Sequence, residues 1–203
     1  NPQAVFPVYF VLRVSKTPTA SGYWKKQPPK HGVEAEWDKD NGKYKLYTSY
    51  GRELSGDDVG YWFTFDDLGE DGQVEVRMGI SYVSTENARK NLDAEQPADT
   101  TFDALRGQAR KAWNEALGRI RVEGGTEAQQ TVFYTALYHA LIHPNLVSDV
   151  NGEYPLMERS GEVGVTDGDR YTVFSLWDTY RNLHQLLTLV YPERQAEMLR
   201  SMV

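Results

Sequence analysis

Cysteine is absent from the 203 residues, which excludes disulfides and thiolate metal sites and leaves the compartment open. There are no basic runs and the net charge is −7, so nucleic acid and anionic membrane are excluded as main partners. No apolar stretch approaches the ~20 residues of a transmembrane helix. No signal peptide opens the chain, and neither an internal repeat nor a low-complexity segment occurs. What is there is the charged and hydrophobic balance of a globular protein, with length for one or two domains and a sizeable core.

The N-terminal part alternates with strand period. Val5–Ser15 sets Phe6, Val8, Phe10, Leu12 and Val14 on one face, and Gln73–Tyr82 does the same with Val74, Val76, Met78 and Ile80. Lys43–Tyr50 and Tyr61–Phe65, the latter after a Gly-Asp-Asp turn, read as further strands. Lys16–Asn41, rich in Pro, Gly, Lys and Asp, reads as a long exposed loop. Such strands with turn-rich gaps predict an antiparallel sandwich, and about four are too few to close one comfortably.

The period then becomes helical. Ser84 caps a segment to Glu95. From Thr101 as cap, Phe102, Leu105, Ala109, Trp113 (or Ala112), Ala116 and Ile120 form a stripe that Gly124-Gly125 ends. Thr126–His143 carries Val132, Phe133, Ala136, Leu137, Ala140 and Leu141, and Pro144 stops it. The two helices make an antiparallel hairpin. Asn145–Tyr171 is a polar, Gly- and Asp-rich loop. Pro192 suits the first position of a last helix whose stripe, Ala196, Leu199, Met202 and Val203, is still running at the final residue. Since Asn1 also lacks a preceding Met, the expectation is a piece cut from a longer protein.

The chain is organised around Tyr171–Val190. A short apolar strand turns at Ser175 into a helix striped by Leu176, Tyr180, Leu183, Leu187 and Val190. Asp178 and Arg181, three residues apart, emerge as neighbours behind Trp177. An acceptor, a planar multiple donor and an apolar platform are what a sugar pocket requires. The structural alternative is a capping box, with Asp178 serving only to start the helix from Ser175.

Two other constellations favour structure over chemistry. His139 and His143 stand i, i+4, but Ala140 occupies the place of the Glu that a helical zinc site carries, so bonding to carbonyls or packing at the helix end is preferred. In Glu158–Arg170, Asp167 and Asp169 flank a Gly but lack the further acids and closing Glu of a calcium loop, so a turn is preferred. Arg170 is a candidate for the mouth of an active site.

The block YTVFSLWDTYRNLHQLLTLVYPE, with FYTALYHALIHPN, SDVNGEY and VRMGISYVSTENARKNLDAE, resembles glycoside hydrolase family 92, the calcium-dependent, inverting, exo-acting α-mannosidases. The resemblance runs from about Val74 to the C-terminus. It implies an α+β multi-domain fragment: residues 1–99 as the end of an N-terminal antiparallel β-sandwich, 100–144 as a two-helix linker, and 145–203 as the first helices of an (α/α)6 barrel. It implies substrate contacts by Asp178, Arg181 and Trp177. The catalytic acid and base and most Ca²⁺ ligands are expected in later barrel helices, so the piece itself is expected to be inactive and to bind no metal. A carboxylate bonded to Arg181 has a depressed pKa, unsuited to a general acid, which fits a hydroxyl-binding role for Asp178. The implied substrate is a glycan with terminal α-linked mannose, and the implied location periplasmic or secreted. Apolar faces are expected to be covered by the remainder of the polypeptide or by a second copy. The alternative is a non-catalytic carbohydrate- or protein-binding β-sandwich module with appended helices.

Overall fold

A computed structural model of the chain describes residues 7–26, 44–47, 59–156 and 161–203. Val5 and Phe6, most of the Lys16–Asn41 loop, the ends of Lys43–Tyr50, the Gly-Asp-Asp turn and the start of the Glu158–Arg170 loop lie outside them. The elements in order are β1 (Tyr9–Val14), β2 (Ala20–Lys26), β3 (Tyr44–Tyr47), β4 (Val59–Thr64), β5 (Val76–Ser81), α1 (Thr85–Glu95), α2 (Phe102–Leu117) and α3 (Glu127–Ile142). They continue with β6 (Asn145–Leu146), β7 (Glu153–Pro155), β8 (Val163–Val165), β9 (Tyr171–Thr172), α4 (Leu176–Thr179), α5 (Leu183–Val190) and α6 (Pro192–Met202). The fold is α+β, with small antiparallel sheets and six helices among the described residues.

Val14–Val76 forms one compact unit. Its sheet has the order β3-β2-β4, antiparallel throughout, with Tyr23 opposite Tyr47 on one side and Tyr61 on the other. β2 is a correction, because its residues fall in the stretch read as loop. Gly60 lies under the Trp24 indole, where a Cβ would sit 2.4 Å from the ring, so only glycine lets that ring lie on the strand.

The remainder forms the second unit. Its core is Leu137, Leu141, Tyr171, Leu187, Tyr191 and Met198, with Ala116, Ile120, Phe133, Phe174 and Leu183 packed on it. Completely buried Leu187 and Met198 each contribute about 1.5–3 kcal/mol of transfer free energy. Ser84 and Thr101 cap where the sequence puts them, each accepting a backbone N–H of the first turn; Thr126, read as the first residue of its helix, is instead its cap, in a full capping box with Gln129. α2 ends at Leu117, earlier than Gly124-Gly125, and those glycines instead supply two consecutive positive-φ residues for the turn into α3.

Two apolar faces point away from this core. On β5 the alternation is present, but Val76, Met78 and Ile80 are exposed while Gly79 and Ser81 are buried. A Cβ on Gly79 would lie 2.2 Å from the Ala88 carbonyl oxygen, so α1 packs directly on the strand's backbone. On α6 the buried residues are Gln195, Met198 and Ser201, and Leu199, Met202 and Val203 are exposed. Alternation and helical period find the faces of an element, but the inward face here is the one whose polar groups find hydrogen bonds.

Arg119 joins the end of α2 to the α5–α6 junction. It donates to the Val190 carbonyl at 3.0 Å, lies 5.0 Å over the Tyr191 ring and pairs with Glu193, while the Tyr191 hydroxyl donates to the Ala116 carbonyl at 2.9 Å. The hydrogen bond from Arg119 holds the Glu193 carboxyl below its ordinary value of 4.5. A depressed carboxylate contributes stability above its unfolded pKa, and that stability is lost as pH falls through the folded value. Glu193→Gln should therefore lower the midpoint of denaturant unfolding at about pH 7 and lower it less at about pH 3. An equal shift at both would mean the pair carries no proton linkage.

Candidate functional site

The Trp-Asp segment is mounted between a strand and a helix break. β9 pairs with β6, with Asn145 opposite Thr172 and Leu146 opposite Tyr171. The Tyr171 ring is in the core and its N–H donates to the buried Ser201 hydroxyl of α6 at 2.9 Å. Val173 then turns the chain with φ 63°, the one positive φ of a non-glycine residue among those described. For a β-branched side chain this costs about 1–3 kcal/mol and requires the surroundings to impose it. Phe174 returns to the core, and α4 begins at Leu176.

α4 is a single turn. The continuous helix expected through Val190 is interrupted at Tyr180–Asn182, and the N-terminal half of its stripe is outward: Leu176 and Tyr180 are about half exposed and Trp177 is 80% exposed. Thr179 holds the turn, its hydroxyl donating to the Ser175 carbonyl at 3.2 Å and lying 2.9 Å from His184 Nε2. His184 Nδ1 is in turn 3.2 Å from Oε1 of Gln195, buried on α6.

Asp178 and Arg181 do not pair. Asp178 is exposed, and its carboxylate accepts the Ser175 hydroxyl. Arg181 donates from Nε to the Tyr180 hydroxyl at 3.0 Å and lies over the same ring. The guanidinium that the sequence assigns to holding the carboxylate is thus engaged elsewhere, and Ser175 takes that role. The capping box is not formed either, because Ser175 makes no side-chain bond to the helix backbone. One hydroxyl occupies only one of a carboxylate's roughly four acceptor positions. The result is an outward acid next to an outward indole.

Arg170 lines a cleft with Tyr154, Tyr171, Phe174 and Met202. It donates to the Arg200 carbonyl at 3.0 Å and lies 4.9 Å from the Tyr154 ring centroid, closing the loop onto α6. The two histidines bond and pack as their place at a helix end suggests. His143 Nε2 meets the Val173 carbonyl oxygen, which accepts only, so that nitrogen carries the hydrogen; His139 tilts against Tyr138.

Sequence reasoning missed Asp149. It is 8% exposed, and both its oxygens are used: Oδ2 accepts from the Ser81 hydroxyl at 2.7 Å and Asn87 Nδ2 at 2.8 Å, and Oδ1 from Asn91 Nδ2 at 2.6 Å. Asn91 also donates to the Ile80 carbonyl and accepts from Val150 N–H. Glu153 accepts from Asn87 at 2.7 Å, and the bonds from Asn87 and then Asn151 hold its carboxyl below the ordinary value. Positive-φ Gly152 makes the turn, its N–H donating to the Asp149 carbonyl. The available signal was Asn87 and Asn91, two amides one helical turn apart.

Among the described residues no three His, Cys, Asp or Glu converge as a metal site requires. The oxygens of Asp149 already face N–H and O–H donors. These residues do not by themselves fit the calcium site the resemblance implies.

Comparison with known proteins follows the same segments. The profile of the glycosyl hydrolase family 92 catalytic domain matches residues 87–203, more than half of the chain. A family 92 α-mannosidase from Bacteroides thetaiotaomicron is similar with a TM-score of 0.71 at 30% identity, over 96% of this chain and 24% of that one. An inverting mannosidase of the family from Bacteroides thetaiotaomicron VPI-5482 is similar with a TM-score of 0.74 at 29% identity, over the same 96% and 24%. An uncharacterized secreted glycosidase of Arthroderma benhamiae is 34% identical over 89 residues, 42% of this chain and 11% of its own length. The chain therefore spans about a quarter of the solved relatives and about a tenth of the curated one. The outward Trp-Asp turn, the helices that seat it and the Asp149 seam all include matched residues, and the chain belongs to glycoside hydrolase family 92.

Proposed function

We propose that this chain provides part of the terminal-sugar grip of an exo-acting α-mannosidase whose bond-breaking groups lie outside these residues. The observation that carries the reading is the exposed Trp177–Asp178 pair on a short helix fixed at both ends, in a chain of this family. A terminal sugar offers several free hydroxyls. An ionised carboxylate with open acceptor positions takes hydrogen bonds from them, and an indole face packs against the sugar's C–H surface. Arg181, next to the pair, adds donors once it leaves Tyr180.

Hydrolysis needs two further carboxyls, ~6.5–9.5 Å apart when configuration inverts. Asp178 is one acid in a binding posture, so the acid, the base and the calcium site are assigned to the rest of the enzyme. The sandwich, linker and first barrel helices, with boundaries near residues 99 and 144, remain our reading of the domain plan. The outward faces Val76/Met78/Ile80 and Leu199/Met202 are seats for the remaining polypeptide. The substrate is a glycan with terminal α-linked mannose. The secreted label of the fungal relative supports export.

The test is release of an aryl group from an aryl α-mannoside, with the product's anomeric form followed by NMR. The intact enzyme should release first the β-anomer of mannose, and the 203-residue piece should release none. Turnover by the piece, or retention by the enzyme, overturns the assignment.

A further inference from the structure

We propose that His143 is a positioning residue: by donating its Nε2–H to the Val173 carbonyl, it imposes the left-handed turn that aims Trp177 and Asp178. The proposal rests on the reading that these two side chains hold sugar.

Three observations converge on Val173. Its φ of 63° is disfavoured for a β-branched residue, and the residue is 56% exposed, so burial does not force the conformation. The residues on either side are committed: Thr172 is paired in β9 and Phe174 packs, half-buried, against the core. The group that reaches the Val173 carbonyl comes from elsewhere in the chain, 30 residues away. His143 is the C-terminal cap residue of α3, and α3 is held by buried Leu137 and Leu141 and by Arg194, which donates to the Leu141 carbonyl at 2.8 Å. A fixed donor thus selects one orientation of the peptide after Val173, and with it the direction in which the chain leaves β9.

That direction matters because α4 has little of its own to set it. It is one turn long with no side-chain cap, and its far end is tied through Thr179 to His184 and Gln195. His143 holds the near end. Removing it leaves every sugar-contacting atom in place but frees the turn to relax toward the ordinary β or α region, swinging Trp177 and Asp178 off their aim.

The test uses the intact enzyme and four proteins: wild type, His143→Ala, His143→Gln, and His143→Ala combined with Val173→Asn. Asparagine tolerates left-handed backbone, so it supplies by preference what His143 supplies by hydrogen bond. Each is measured for kcat and KM on an aryl α-mannoside, and for amide hydrogen exchange over residues 173–179. His143→Ala should lower kcat/KM about 10- to 100-fold, in kcat and KM together, and speed exchange in that segment about tenfold. His143→Gln, which keeps an N–H donor, and the double variant should each recover most of both losses. A loss that neither rescues means His143 is only structural and overturns the proposal, as does His143→Ala with unchanged kinetics or unchanged exchange. Should wild type not turn over α-mannosides, the functional reading fails on its own, and the exchange arm with its rescue still decides whether His143 sets the turn.

Discussion

Asp178→Ala in the intact enzyme should reduce kcat/KM by about 10²–10⁴-fold while barely moving its thermal midpoint. The size follows from the site. A hydrogen bond to a charged group is worth about 1.5–3 kcal/mol, and the outward carboxylate has acceptor positions for two sugar hydroxyls beyond the one Ser175 occupies. Losing both costs about 3–6 kcal/mol, at about 1.4 kcal/mol per tenfold. Stability should hold because Asp178 is exposed and takes no part in capping α4. The contrary result is as specific. If the aspartate serves only its helix, the variant loses ~0.5–2 kcal/mol of stability and turns over substrate normally.

Asp149→Ala should destabilise the fold by about 3–5 kcal/mol, read by denaturant unfolding. Alanine removes the acceptor from one hydroxyl and two amides in a nearly dry site, and each stranded donor costs about 1–3 kcal/mol. Partial opening of α1 to water limits the sum. Asp149→Asn is the informative comparison. Its amide offers one acceptor and turns its own N–H groups toward other donors, so it should cost about 1–3 kcal/mol, less than alanine but well above a surface substitution. Exchange protection over residues 84–96 should fall in both, which localises the damage to α1. Near-wild-type stability for the alanine variant would mean water replaces the carboxylate without penalty.

Local chemistry was legible in the sequence. Ser84 and Thr101 cap their helices and Pro192 opens α6, because each acts through neighbours within one turn. The Trp-Asp segment was legible as family sequence, through its motif. Facing was not. Met78 and Leu199 look like core residues, yet Gly79 and Met198 are the ones inside, since alternation and helical period say which residues share a face and not what that face meets. Length was a second obstacle. The strands β6, β7 and β8 are two or three residues long and carry no period, so Asn145–Tyr171 read as loop. The break at Tyr180–Asn182 is likewise invisible to a stripe count, because apolar residues continue straight through it. Asp149 escaped because its partners are distant in sequence and none is apolar.

The seam at Asp149 also fixes an order of events during synthesis. Asn87 must wait for an acceptor 62 positions further on, roughly 3–12 s at ribosomal speeds of ~5–20 residues per second. A helix kept waiting with a greasy underside would recruit neighbours on the polysome. This one waits with Asn87 and Asn91 set between Ala88 and Leu92, so half of its inner face is at ease in water until the acid arrives.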